Sequence, residues 1–134
     1  MSTQSFDYSF TRGATLTATV DRGMRLSSLV QGLLSIELSK WEGTKMKRLI
    51  ISGLPQLISI RMIEKCFCYC GECTITHLPN LETIDIGELC FSGYIDDMNN
   101  LVFTIDDCHK LQSLVIGKVS FRYYNVFQLT SDCI

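Results

Sequence analysis

The residues most suited to chemistry lie in one short, cysteine-rich segment. Residues 66–73 read CFCYCGEC, and His77 follows four positions later. Four thiolates, or three thiolates and an imidazole, form a ligand set for tetrahedral zinc, and closely spaced thiols also serve in redox-responsive sites. The segment therefore raises the hypothesis of a zinc- or redox-responsive protein that uses Cys66, Cys68, Cys70 and Cys73.

Catalysis has less support than metal binding. A cysteine nucleophile needs a nearby histidine, and the chain has only His77 and His109, both in predicted turns. The sequence contains no nucleophile-elbow, phosphate-loop or H-E-x-x-H pattern. We therefore expect a protein that is not an enzyme and that needs no cofactor.

Size and composition restrict the function further. The chain has 134 residues, of which 46% are hydrophobic, and this is enough for one folded domain. A formal net charge of −2 without a basic block argues against a nucleic-acid partner. No apolar run approaches the roughly 20 residues that span a bilayer, and residues 1–10 do not read as a signal sequence. We therefore expect no membrane partner. The cysteine count, 7, is odd, so a fully paired disulfide framework would leave one thiol over, and we expect a reducing, cytoplasmic location.

A repeat organises most of the sequence. The pattern L-x-S/T-I/L-x-I/L/M begins at Leu33, Leu57, Leu81 and Leu111, so successive copies start 24, 24 and 30 residues apart. A second block, with apolar residues at its first, third and sixth positions, precedes each of the last three copies, beginning at Leu49, Cys73 and Phe103. A phenylalanine follows the first leucine of those copies by ten residues, at Phe67, Phe91 and Phe121. One insertion of six residues between Ser92 and Leu101 explains the longer interval.

These periods predict the elements that position the side chains. In the first block, the fourth and sixth residues point to the same side of a short strand. The second block has period three, which suggests a 3₁₀ or tight extended turn. Because a single 24-residue unit cannot bury two apolar edges, neighbouring units must stack. We expect a β-rich solenoid of the α/β type, with short parallel strands, tight turns and little helix, over residues 24–134, preceded by a cap or degenerate repeat at residues 1–23.

The motifs resemble those of the leucine-rich repeat proteins, whose repeats of 20 to 29 residues begin L-x-x-L-x-L. Where that family usually has asparagine, this sequence has Trp41, Lys65, Leu89 and Val119. A Cys-Phe or Ser-Phe pair follows three of these positions, at Cys66, Cys90 and Ser120. This pair is similar to the irregular repeats of protist and bacterial surface-antigen-type proteins. The resemblance implies a flatter, β-rich solenoid that acts as a scaffold for protein binding.

The repeat register also gives the cysteine segment a structural interpretation. Cys66 shares the small-residue position of Cys90 and Ser120, and Cys73 shares the position of Leu49 and Phe103. Only Cys68 and Cys70 lie outside the register, in a loop. Two thiols do not complete a metal site, so the register favours structural thiols over metal.

Two surfaces are candidates for a protein partner. In the leucine-rich repeat family, partners usually bind the strand-lined face, which here presents Glu37, Arg61, Ile63, Asp85 and Val115. Alternating charges along this row can equally well neutralise one another. The second surface is the loop side after the phenylalanines, with Tyr69, Tyr94, Tyr123 and Tyr124, the last two of which have the alternative of packing over the solenoid.

The hypothesis that follows is a non-enzymatic protein-protein interaction module built on leucine-rich repeats. The alternatives are the zinc- or redox-responsive protein and a fragment of a longer leucine-rich repeat array. In the last case, the final copy, with Phe127 and Leu129, needs cover from further chain or from a second copy.

Overall fold

A computed structural model describes residues 4–9, 15–20, 24–26, 34–38, 40, 41, 47–93, 95 and 101–130, the first three ranges by their backbone alone. These residues form eleven strands and no helix. The strands are β1 (Gln4–Ser9), β2 (Thr15–Val20), β3 (Met24–Leu26), β4 (Ser35–Leu38), β5 (Arg48–Ser52), β6 (Ser59–Glu64), β7 (Glu72–Thr76), β8 (Thr83–Glu88), β9 (Val102–Asp106), β10 (Ser113–Ile116) and β11 (Val126–Leu129).

The strands alternate between two parallel sheets, which confirms the predicted solenoid. A four-stranded sheet has the order β4, β6, β8, β10, and a five-stranded sheet has the order β3, β5, β7, β9, β11. Strands β1 and β2 pair with each other in antiparallel fashion. Each turn of the solenoid, called a coil here, therefore contributes one strand to each sheet.

Pairing follows the sequence repeat. Ser35 aligns with Ser59, Ser59 with Thr83, and Thr83 with Ser113 in the four-stranded sheet. In the other sheet, Glu72 aligns with Val102, which is 30 residues away. The insertion between Ser92 and Leu101 is therefore accommodated without a change of register.

The second block is a strand, and the prediction of a 3₁₀ or tight extended turn for it was wrong. Leu49 and Ile51 face inward from β5 with the alternation of a strand. The apparent period of three arises because Gly53 then adopts a left-handed conformation (φ 68°), so that Leu54 also enters the core. His77 (φ 56°) and Asp107 (φ 52°) occupy the same position in the next two coils.

A tight turn follows β5, β7 and β9 of the five-stranded sheet and leads into the next strand of the four-stranded sheet. The N–H of Leu57 donates to the Leu54 carbonyl (3.3 Å), and Leu81 and Leu111 make the equivalent bonds to Leu78 and Cys108. Pro55 is the second residue of the first of these turns, where its fixed φ fits and its missing N–H leaves no bond unmade.

The core lies between the two sheets and is apolar throughout. Inward residues of every coil stack on the same position of the next coil, and none of the buried residues that the structure describes is polar or charged. The phenylalanines of the repeat stack in a ladder: the ring centroids of Phe67 and Phe91 are 5.5 Å apart, and those of Phe91 and Phe121 are 4.6 Å apart. None of the described residues forms a helix long and apolar enough to cross a membrane.

Candidate functional site: the strand face

The outward side chains of the four-stranded sheet form the strand face. Because parallel strands in register place identical positions side by side, about 4.8 Å apart, one row contains Ser35, Ser59, Thr83 and Ser113. The next row contains Glu37, Arg61, Asp85 and Val115. Four of the five residues predicted for this face therefore stand in one row, and their side chains are exposed.

A groove runs across these two rows. Its volume is about 360 Å³, and both rows line it. The first row contributes hydroxyl groups to the lining and the second row contributes longer side chains, while Ile36, Ile60 and Ile84 also line the groove. The groove therefore offers hydrogen-bonding and apolar groups on strands that are paired in register.

The charges of the second row are only partly neutralised. A guanidinium nitrogen of Arg61 lies 3.8 Å from a carboxylate oxygen of Glu37. Asp85 stands on the other side of Arg61, and among the described residues it has no ion pair. The row therefore presents one neutralised pair and one carboxylate that is available to a cationic group.

Ile63, the fifth predicted residue, borders this face and is half-buried. Gly87 and Gly117 continue its column in the next two coils. A Cβ atom at Gly87 would lie 1.7 Å from the Ile63 carbonyl oxygen, so the adjoining coil leaves no room for a side chain there. In this column, Ile63 therefore contributes an apolar side chain, and Gly87 and Gly117 contribute none.

Sequence reasoning overlooked Trp41, which lies at the corner that follows β4 of this sheet. It is the only tryptophan of the chain, and 54% of its surface is exposed at the corner just after β4. The Lys65 ammonium lies 4.9 Å from the centroid of its ring. Exposed tryptophans are common binding anchors. The repeat register places Trp41 in the same corner column as Lys65 and Val119, and this position was the signal from which its exposure could have been predicted.

The tyrosine side differs from the prediction. Tyr69 is 48% exposed, as expected, whereas Tyr123 packs partly against the core. Tyr124 is buried, and its hydroxyl donates a 2.6 Å hydrogen bond to the Cys70 carbonyl. Desolvation raises the pKa of this phenol far above its usual range. Tyr124 therefore follows the alternative of packing over the solenoid and not that of an exposed loop, because its ring covers the core beside Phe91 and Phe121. Tyr94 lies outside the described residues.

The cysteine segment is part of the core. All four thiols are buried, including those of Cys68 and Cys70, for which a loop outside the register was expected. Cys70 instead ends the turn after Phe67, with its N–H donating to the Phe67 carbonyl, as Tyr124 does after Phe121. The Sγ atoms of Cys68 and Cys70 both donate to backbone carbonyls: that of Cys68 to the Lys65 carbonyl (3.3 Å) and that of Cys70 to the Glu72 carbonyl (3.1 Å).

Burial keeps most of these thiols protonated. Desolvation raises the pKa of Cys70 to about 12 and that of Cys73 well above 9, and it also raises the pKa of Cys68. Cys90 is the exception, because a hydrogen bond from the Cys66 thiol lowers its pKa. Thiolates are the metal ligands and nucleophiles, and within the described part of the chain no group of three or more His, Cys, Asp or Glu side chains is arranged to hold a metal ion.

The two histidines meet at one corner of the solenoid. Nε2 of His109 lies 2.6 Å from Oδ1 of Asp107, and Nε2 of His77 lies 3.8 Å from Oδ2 of the same carboxylate. Nδ1 of His77 is 2.7 Å from the Thr76 hydroxyl. Both imidazoles are more than half exposed, so the cluster sits in water and the shared carboxylate accounts for its geometry.

No protein-family model, curated protein or solved structure was found to match this chain.

Proposed function

We propose that the chain is a divergent leucine-rich repeat protein that binds a protein partner through the strand face and catalyses no reaction. The observation that carries the proposal is the groove on the four-stranded sheet. Its lining residues come from equivalent positions of four strands, so each coil repeats the same framework and varies only the exposed side chains. Variation on a fixed framework is how repeat proteins build binding surfaces.

The family assignment is supported by the corner that follows each strand of this sheet. Where leucine-rich repeats usually place asparagine, Trp41, Lys65, Leu89 and Val119 all have left-handed backbone, with φ between 55° and 69°. The backbone N–H of Lys65 donates to the next coil at Glu88 (2.9 Å). The corner thus keeps coil-to-coil hydrogen bonding without an asparagine side chain.

The residue after this corner adds a second connection between coils. The Ser120 hydroxyl donates to the Gly87 carbonyl (2.7 Å) and accepts from the Cys90 N–H (3.0 Å). The Cys66 thiol lies 3.8 Å from the Leu38 carbonyl of the preceding coil. The small polar side chain of the Cys-Phe or Ser-Phe pair therefore takes over part of the bonding that an asparagine ladder gives to regular repeats.

The expected partner presents a narrow segment with hydrogen-bonding groups and one basic side chain. Hydroxyls of the first row donate and accept, and Asp85 is the carboxylate of the second row that has no ion pair among the described residues. Trp41 adds an apolar anchor at the corner. A cationic side chain opposite Asp85 gives charge complementarity, which favours the correct register of the bound segment.

The proposal that the chain catalyses no reaction is supported by the surroundings of its thiols and of its two histidines. The six described thiols are buried, so a substrate in solution does not reach them. The Thr76, His77 and Asp107 side chains are close together but exposed to water, which weakens electrostatic stabilisation of a transition state. A scaffold needs none of these groups to react.

The test reverses the charge of one outward carboxylate on each sheet. Asp85 lies on the strand face, and Asp106 lies at the end of β9 on the five-stranded sheet. Neither has an ion pair among the described residues. Tagged wild-type protein, Asp85→Lys and Asp106→Lys are used to capture partners, and the affinity of each variant for the purified partner is then measured by calorimetry. We expect at least about tenfold weaker binding for Asp85→Lys, because the new ammonium repels the basic side chain of the partner, and less than about twofold change for Asp106→Lys. Equal affinities, or a larger effect of Asp106→Lys, contradict the proposal.

A further inference from the structure

The last coil, formed by β10, β11 and the residues between them, exposes side chains that every earlier coil buries. Phe127 and Leu129 are 50% and 51% exposed, whereas Phe103 and Ile105, their partners in β9, are fully buried. On the other sheet, Ile116 is exposed and its partner Ile86 is buried. In the described part of the chain, an apolar cross-section of the solenoid is thus open to water.

The two strands at this end also lack the usual protection of an edge. Strands β10 (SLVI) and β11 (VFQL) contain no charged residue. Every other strand of the two parallel sheets contains at least one, such as Arg61 in β6 or Glu72 in β7. Charged residues on an edge strand oppose pairing with another chain. Their absence at this edge alone marks a surface suited to strand pairing.

The opposite end of the array is different. Strand β1 lies beside β4, and β2 lies beside β3, so the antiparallel hairpin stands next to the first coil. A head-to-tail contact between copies would have to displace this hairpin. A contact between two last coils meets no such obstacle, and it brings together edge strands that carry no charged residue. The charged residues between these strands, Lys118 and Arg122, lie outside both of them.

We infer that two copies of this chain join end to end through their last coils. A two-fold axis perpendicular to the solenoid axis relates them, as in most homodimers. The axis reverses the strand direction, so β10 and β11 each pair in antiparallel fashion with an edge strand of the second copy. Phe127, Leu129 and Ile116 then lie in a continuous core, as their equivalents do inside the array.

The experiment is sedimentation velocity in reducing buffer, where no intermolecular disulfide forms. The full chain, with a mass of 15.2 kDa, is measured at about 1 to 100 µM, the range that detects micromolar dissociation constants. We expect a dimer of twice this mass that dissociates on dilution. Monomer at every concentration overturns the inference, because the end is then covered within one chain or left open.

Two variants locate the contact. Phe127→Glu places a charge in the exposed cross-section, and we expect it to be monomeric. Gln128→Lys is the second variant, since its outward side chain leaves the core intact; two like charges near the axis should weaken the dimer at least about tenfold. Thr104→Lys, in the same column one coil inward, is the matched control and should change the dissociation constant less than twofold.

These variants also separate the dimer from the strand-face proposal. A dimer that persists in both Phe127→Glu and Gln128→Lys, with circular dichroism showing native strand content, places the contact elsewhere and overturns the inference. Arg61→Glu should leave the dimer unchanged, because its side chain projects from the strand face and not from the end of the array. Loss of the dimer in Arg61→Glu alone assigns the contact to the strand face and likewise overturns the inference.

Discussion

Phe91→Ala is the substitution that best tests whether the coils are held together by their aromatic ladder. The Phe91 ring is fully buried and lies between Phe67 and Phe121, at interplanar angles of 16° and 6°. The edge of Tyr124 completes its surroundings at 6.0 Å. Removing the ring therefore removes contacts with both neighbouring coils.

The expected cost follows from this environment. Phe→Ala in a core typically lowers the free energy of unfolding by about 3 to 5 kcal/mol, and more when the cavity cannot collapse. Here the backbone on both sides is fixed, because the N–H of Phe91 donates to Cys66 (3.0 Å) and that of Phe121 donates to Cys90 (2.9 Å). Two stacked pairs add about 0.5 to 1.5 kcal/mol each to the burial of area. We therefore expect a loss of about 4 to 5 kcal/mol, in the upper part of the range.

The assay is urea unfolding followed by the fluorescence of Trp41, the only tryptophan, with circular dichroism as a second probe. Tyr69→Ala is the control, since that aromatic is 48% exposed only two residues after Phe67; it should change stability by less than about 0.5 kcal/mol. A loss below about 1 kcal/mol for Phe91→Ala would refute the stacking model, because burial of the ring alone is worth more than that.

Three further outcomes are expected from the same measurements. Gly87→Ala should cost at least about 3 kcal/mol, because the new Cβ would meet a backbone oxygen at 1.7 Å; Gly71→Ala, whose nearest neighbour is a leucine methyl at 3.2 Å, should cost less than about 1 kcal/mol. Val119→Asn should stabilise the fold by about 1 kcal/mol, since a β-branched residue at φ 62° is strained. The free energy of unfolding should fall as the pH rises above 9, because the unfolded chain loses the Cys70 proton near pH 9 and the folded chain loses it only near pH 12. At pH 10, this group lowers the free energy of unfolding by about 1.4 kcal/mol. Cys70→Ala should make the dependence of stability on pH less steep.

Much of the fold could be predicted because a solenoid repeats its contacts. A side chain at one position of a coil touches the same position of the next, so Ile60 stacks on Ile84 and Arg61 stands beside Asp85. Spacing in the sequence then translates directly into neighbours in the sheet. The four-stranded sheet, its register and the exposed row of the strand face all follow from this translation.

The second strand of each coil was missed for a local reason. Sequence periodicity registers which residues are apolar, not the backbone angle between them. A single left-handed residue at Gly53, His77 or Asp107 shifts the inward positions by one and makes a strand followed by a corner read as period three. Glycine adopts this conformation most readily, whereas His77 and Asp107 are residue types that adopt it more often than other non-glycine residues but usually do not.

The burial of Tyr124 and Cys70 was missed because turns vary between coils. These two residues share one position, yet a phenol and a thiol fill very different volumes there. The Tyr124 ring reaches far enough to bind the carbonyl of Cys70, 54 residues earlier. The repeat interval in the sequence relates residues of adjacent coils, so it does not predict a contact between coils that are separated by another coil.

The left-handed corners bear on the proposal that the strand face binds a partner. Side chains on separate loops would have to be ordered on binding, and that ordering lowers affinity. Here Trp41 and Lys65 stand at left-handed corners fixed by backbone hydrogen bonds to the adjoining coils, and Arg61 and Asp85 stand on paired strands. The strained corners cost stability within each coil, and the ladder of stacked coils compensates for it. The backbone hydrogen bonds that hold the left-handed, non-glycine corners therefore fix Trp41 and Lys65 at the ends of the strands that carry the proposed binding surface.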